Sequence, residues 1–141
     1  MSQSTSVYSK FETEMLIRPS DIDMNQHVHS STYLDYVLAA RYDQMARCYK
    51  MSMDEFLKAG FGWVVRAAHL EYKRPLMLND VIVITTWVAE IAKSQVKVHF
   101  QITKKATGKL ACDGYFDYTM VNLQTGRAEA IPDWIRAKYS V

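Results

Sequence analysis

From Gly62 to Leu123 this chain reads as four long strands in succession, Gly62 to Lys73, Asp80 to Ile91, Gln95 to Lys105 and Lys109 to Leu123, which commits it to a sheet. Trp, Val, Ile, Thr, Phe and Tyr recur throughout, the residue types that suit a pleated, half-buried surface. The links Pro75 to Asn79, Ala92 to Ser94 and Ala106-Thr107-Gly108 are short and turn-like, and they predict consecutive antiparallel hairpins. Upstream, Phe11 to Pro19 places Phe11, Thr13, Met15 and Ile17 on one face of a fifth strand. Pro19 ends it, because proline cannot donate to a ladder.

A helix of about Thr32 to Lys50 separates the first strand from the other four. Its first half carries Tyr33, Leu34, Tyr36, Val37, Leu38, Ala39 and Ala40 with almost no polar interruption, the pattern of a helix buried nearly all round. Ser31 or Thr32 offers an N-cap, and Thr32-Tyr33-Leu34-Asp35 has the spacing of a capping box. From Arg41 the pattern turns amphipathic, which predicts that Arg41, Asp43, Gln44 and Arg47 reach solvent. A short helix, Ser52 to Lys58, starts on Ser52, carries Asp54 and Glu55 in its first turn and stops at Gly60. Gln124-Thr125-Gly126 ends the last strand, and Pro132-Asp133-Trp134, with Pro132 near N1, opens a short helix within residues 131–141. The order is that of an α+β fold in one domain, residues 1–141, with residues 1–10 as a flexible lead. One sheet covers a helix on one side only, so a second copy of the chain is the simplest cover for the other side.

At 141 residues the chain is long enough to bury a core without staples. Cys48 and Cys112 match no metal or redox spacing and read as reduced, core-filling thiols of a cytoplasmic protein. A net charge of +2, with no helix-turn-helix, zinc-finger or aromatic-basic signature, gives no reason to expect nucleic-acid binding. The best apolar run, Val81 to Ala92, is too short and too polar for a membrane span, and residues 1–10 lack a signal-peptide run.

The chemistry concentrates in Ser20-Asp21-Ile22-Asp23-Met24-Asn25-Gln26-His27-Val28-His29-Ser30-Ser31-Thr32-Tyr33. If Asp21 to His29 is extended, Asp21, Asp23, Asn25, His27 and His29 share a face, and Ile22, Met24 and Val28 turn away. By spacing alone Asp23 is either a catalytic carboxylate or a turn-forming aspartate, Asn25 an orienting amide or a left-handed turn residue, and His27 a hydrogen-bonding partner or a core histidine. Asp21 and Asp35 read as structural. His27-x-His29 has a metal-like spacing but no third ligand nearby, so neither metal nor cofactor is expected. The amides of residues 29 to 32, Ser30 and Ser31 above all, enter the first helical turn, where unpaired N–H groups and the helix dipole favour negative charge. Tyr33, Tyr36, Phe61 and Trp63 read as core, with some of them free to line a ligand tunnel.

Asp21-x-Asp23-x-x-x-His27-Val28 followed by Tyr33, with Glu71-Tyr72-x-x-Pro75 and Asn79-Asp80 downstream, resembles the hot-dog-fold acyl thioesterases of the 4-hydroxybenzoyl-CoA thioesterase type. The motif itself is most similar to that of the acyl-ACP thioesterases, which use the residues matched by Asp23, Asn25 and His27. The resemblance implies a hot-dog fold, a five-stranded antiparallel sheet wrapped around a long central helix, and a homodimer or homotetramer with sheets joined edge to edge. It also implies hydrolysis of an acyl-CoA or acyl-ACP, with Asp23 as general base or nucleophile and the Ser30 and Ser31 amides binding the substrate oxygen. Pro75 and Leu76 stand where the acyl-ACP enzymes carry an acid and a cysteine, which leaves the aspartate as the main actor. The alternatives are a hot-dog dehydratase or hydratase using His27 with Asp23, and a non-catalytic module that binds acyl thioesters.

Overall fold

A computed structural model describes residues 8–140, so most of the expected flexible lead, residues 1–7, lies outside the described residues. Five strands, β1 (Lys10–Leu16), β2 (Phe61–Tyr72), β3 (Val81–Ile91), β4 (Gln95–Lys104) and β5 (Leu110–Asn122), form one antiparallel sheet in the order β1-β3-β4-β5-β2. Among the described residues three α-helices accompany it, α1 (Thr32–Arg47), α2 (Met53–Lys58) and α3 (Asp133–Tyr139). The α+β fold with a sheet around a long helix is the one the sequence predicts; the limits of β2 to β5 fall within one residue of the expected ones, while β1 stops at Leu16, three residues before Pro19.

Strict alternation sets which side of the sheet is wet. Ile82, Ile84, Thr86 and Val88 of β3 and Val96, Val98, Phe100 and Ile102 of β4 are all buried on the face that receives α1. Tyr33, Tyr36, Val37 and Ala40 pack with Ile82, Ile84, Phe100 and Phe116 at one end of α1. Met45, Tyr49, Phe56 and Met120 form a second cluster with Ile135 and Tyr139 of α3 at the other. Helix α2 has the expected cap: the Glu55 amide donates to the Ser52 hydroxyl and the Ser52 amide to the Glu55 carboxylate, both at 3.4 Å.

Several expectations are corrected. Only β3–β4 and β4–β5 are hairpins; β2 pairs with β5, so the Pro75 to Asn79 link crosses over rather than turns back. Leu76 explains this, since it is fully buried and its amide donates to the Tyr33 hydroxyl at 3.1 Å, pinning the link to α1. Helix α1 stops at Arg47, before Lys50, which takes a positive φ of 60°. Ser31 has helical dihedrals and no side-chain cap, so the capping box at Thr32 does not form. Pro132 does lie near N1 as expected, at the N-cap of α3. Among the described residues no helix is long and apolar enough to cross a membrane.

Candidate functional site

After β1 the chain makes one 3-10 turn, Pro19–Asp21, and then doubles back instead of extending. Ile22 bridges Val28, the Asp23 amide donates to the His27 carbonyl at 2.9 Å, and the Gln26 amide donates to the Asp23 carbonyl at 3.0 Å. Gln26 supplies the left-handed step, at φ 63°. Asp and Asn side chains offer the backbone local partners that compete with an extended ladder, and here the turn wins. The five polar side chains therefore do not share a face, and Met24, which alternation turns inward, is 98% exposed.

Asp23 closes this loop with one oxygen. Its Oδ1 accepts the Asn25 amide at 2.8 Å and the His27 amide at 3.2 Å, while Oδ2 accepts no hydrogen bond from the described residues. The His27 amide lowers the Asp23 pKa most; desolvation opposes it, and the Asn25 amide and the charges of His29 and His27 lower it further. The carboxylate is thus anionic at neutral pH and its orientation is fixed. The turn-forming and the catalytic readings of Asp23 are compatible, because each uses a different oxygen.

The other members of the motif divide. Asp21 is buried and structural, as expected, accepting the Arg18 amide at 3.1 Å and the Arg18 guanidinium at 3.4 Å. Burial raises its pKa, but the Arg18 amide, the neighbouring Tyr36 hydroxyl and the Arg18 guanidinium outweigh this and hold it below the ordinary value. Asn25 and His27 are exposed beside Asp23, and among the described residues neither side chain makes a hydrogen bond. The His27 backbone is anchored instead, by a bridge to Met77.

Past Val28, the return strand leads straight into α1. Asp23 lies opposite His27, two residues from the level where the His29 amide donates to the Asp21 carbonyl at 3.4 Å, a separation of roughly 6–7 Å along the loop. The Thr32 amide donates to the His29 carbonyl at 3.0 Å, but the Ser30 and Ser31 amides find no acceptor among the described residues. Tyr72, at the end of β2, donates its hydroxyl to the Ser30 carbonyl at 2.9 Å. In a trans peptide that carbonyl and the Ser31 N–H point in opposite directions, so Tyr72 sets the direction of the Ser31 N–H. The sequence reading names Tyr72 only within the family motif. Its role was not legible, since the contact spans 42 residues.

A cavity of about 210 Å³ opens beside the second half of α1. Leu38, Arg41, Tyr42 and Met45 line it from the helix, with Trp63 and Val65 from β2 and Tyr118 from β5 opposite. Tyr139 of α3 lines it as well. Of the expected aromatic group, only Trp63 lines the cavity, while Tyr33 and Tyr36 belong to the core. Arg41 and Gln44, expected in solvent, are buried. They follow Tyr33 and Val37 on the sheet side of α1, where strand hydroxyls meet them. Arg41 Nη1 donates to Thr86 Oγ1 at 3.2 Å, Thr86 donates to Gln44 Oε1, and Gln44 Nε2 donates to Thr13 Oγ1 at 3.1 Å. Thr13 in turn donates to Asp43 at 2.6 Å. The missed signal for Arg41 was its place four residues after Val37 on the buried stripe.

The description that matches this chain, over residues 17–139, is that of the thioesterase-like superfamily. The chain is 24% identical over 127 residues to the long-chain acyl-CoA thioesterase FadM of Escherichia coli K12, covering 90% of this chain and 95% of that protein. It is 30% identical over 82 residues, 58% of this chain and 20% of the other, to the chloroplastic acyl-[acyl-carrier-protein] hydrolase FATB3 of Cuphea viscosissima. The fold matches that of Slr0204, a 1,4-dihydroxy-2-naphthoyl-CoA thioesterase from Synechocystis, with a TM-score of 0.84, 13% identity and coverage of 93% of this chain and 96% of that one.

Proposed function

The chain belongs to the thioesterase-like superfamily, and from that premise we propose that it hydrolyses an acyl thioester, of coenzyme A or of an acyl carrier protein, to a free acid and a thiol. One observation carries the reading. Asp23 is an anionic carboxylate with one oxygen fixed by two amides and the other accepting no hydrogen bond from the described residues, on the loop that delivers the N-terminus of α1.

That second oxygen either takes a proton from water as that water attacks the thioester carbon, or attacks the carbon itself to form a mixed anhydride that water then opens. Attack places negative charge on the carbonyl oxygen, and the Ser30 and Ser31 amides, without an acceptor among the described residues and at the positive end of a 16-residue helix, are donors for it. Collapse of the tetrahedral intermediate breaks the C–S bond and releases the thiolate, which is then protonated. Asn25 and His27, exposed beside Asp23, are placed to orient the water or the carbonyl. No step needs a metal or a cofactor.

The site takes its working form in a homodimer. Among the described residues nothing pairs with the outer edge of β2, with Val64 48% and Val65 37% exposed, and a second copy adding its own β2 there would cover the open side of the cavity.

The reading is tested by incubating the protein with CoA and carrier-protein thioesters of varied chain length and aromaticity while following free thiol and enoyl absorbance together. Thiol release without an enoyl product is expected. An enoyl thioester formed from a hydroxyacyl substrate without free thiol would assign the chain to the dehydratases, and tight binding without turnover of any thioester would make it a binding module.

A further inference from the structure

Arg41 is a buried cation that the described part of the chain leaves without a counter-charge. It is 6% exposed, and no carboxylate of the described residues lies within ion-pair distance of it. Among the described residues its side chain donates one hydrogen bond, to Thr86, and its guanidinium lies 5.2 Å from the centroid of the Tyr49 ring, both neutral groups. The hydrogen-bond chain beyond Thr86 reaches a carboxylate only at Asp43, which is paired with Arg47 at 2.8 Å. An unpaired buried charge is costly, and a guanidinium offers five donors in a fixed fork that matches a carboxylate. Across the cavity the Tyr118 hydroxyl is buried and has no hydrogen-bond partner among the described residues. A buried cation and a buried unpartnered donor therefore line one otherwise apolar space.

One stripe of α1 runs from the N-terminus of the helix to this space. Leu34, Leu38, Arg41 with Tyr42, and Met45 recur at helical spacing along one side of α1. Arg41 is nine residues from Thr32, roughly 13–14 Å along the axis. A thioester carbonyl held at the start of the helix would send its acyl chain along this stripe and bring the far end to Arg41. A cavity of about 150 Å³ holds a benzene ring, so the 210 Å³ here takes the outer part of a medium-length acyl group with a polar end.

Resting on the thioesterase reading above, we propose that the acyl group carries a carboxylate at its distal end, bound by Arg41 and Tyr118, so that the substrates are mono-thioesters of dicarboxylic acids rather than plain fatty acyl thioesters. The carboxylate accepts from the guanidinium fork and from the phenol, completing both groups.

The test compares thiol release from octanoyl-CoA and from the mono-CoA thioester of octanedioic acid by the wild type, Arg41→Gln, Arg41→Lys and Tyr118→Phe. The wild type is expected to favour the dicarboxylic thioester about tenfold or more in kcat/KM. That ratio should drop about tenfold in Arg41→Gln, recover in Arg41→Lys and fall about threefold in Tyr118→Phe. A wild-type preference for octanoyl-CoA, or a ratio unchanged in Arg41→Gln, overturns the assignment; Tyr118→Phe, which keeps the ring, decides if Arg41→Gln does not fold. If neither ester is hydrolysed, calorimetric titration with the non-hydrolysable thioether analogues replaces turnover. Tighter, Arg41-dependent binding of the charged analogue then keeps this inference while the hydrolase reading falls, and equal binding of the two overturns it.

Discussion

Asp23 shows how one residue can hold a turn and keep a reactive oxygen. The same two amides that fix Oδ1 lower the carboxylate pKa, so the anion persists as pH falls. A base or nucleophile that is ionised above a depressed pKa loses activity only when the pH drops through that value. The acid limb of kcat/KM is therefore expected below the ordinary aspartate pKa, and a pH–rate profile checks it. A limb near pH 6 to 7 would point to a histidine instead, as the dehydratase reading requires. Cys112 makes the opposite case: burial pushes its thiol up to about 12, which leaves it inert at neutral pH, in keeping with its reading as a core filler. Residue types and spacing made Asp23 and its neighbours legible as a candidate cluster. They did not reveal the fate of Arg41, because an arginine written into an amphipathic stretch looks solvated until strand hydroxyls from distant sequence are seen to meet it.

The last four strands were legible almost to the residue because alternation is a local signal, recorded in each segment's own side chains. Their order was not, because pairing is decided by contacts far apart in sequence, such as the Leu76 amide on the Tyr33 hydroxyl. The loop of Asp21 to His29 failed for a related reason: an alternating pattern with no neighbouring strand to pair with carries no ladder, and the Asp23 side chain captured the backbone instead. The β2–β5 ladder depends on a single small residue. A Cβ at Gly114 would lie 1.7 Å from the His69 carbonyl oxygen, so the backbones approach too closely there for any side chain. Gly114→Ala is expected to destabilise the protein by about 1–3 kcal/mol or more, read as a lower denaturation midpoint. An unchanged midpoint would mean that the two strands separate easily at that position. Since β2 carries Tyr72, the same variant should weaken the hold on the Ser30 carbonyl and slow turnover along with stability.

In the whole molecule, one sheet covers one side of α1 and leaves Leu38 and Tyr42 part-exposed beside the β2 edge, where the cavity opens. The proposed second copy would close it, and a charge on that edge should prevent pairing. Val64→Asp is expected to convert a dimer to a monomer in sedimentation and to lower kcat/KM about tenfold or more; a monomeric wild type with full activity would remove the need for a partner. The account as a whole rests on Asp23 as the group that drives thioester cleavage. Its most direct test is kcat/KM for thiol release by the wild type and by Asp23→Asn, with melting temperature and mass measured on both. A fall of about a thousandfold or more with fold and assembly intact is the predicted result, and equal rates in the two proteins would contradict it.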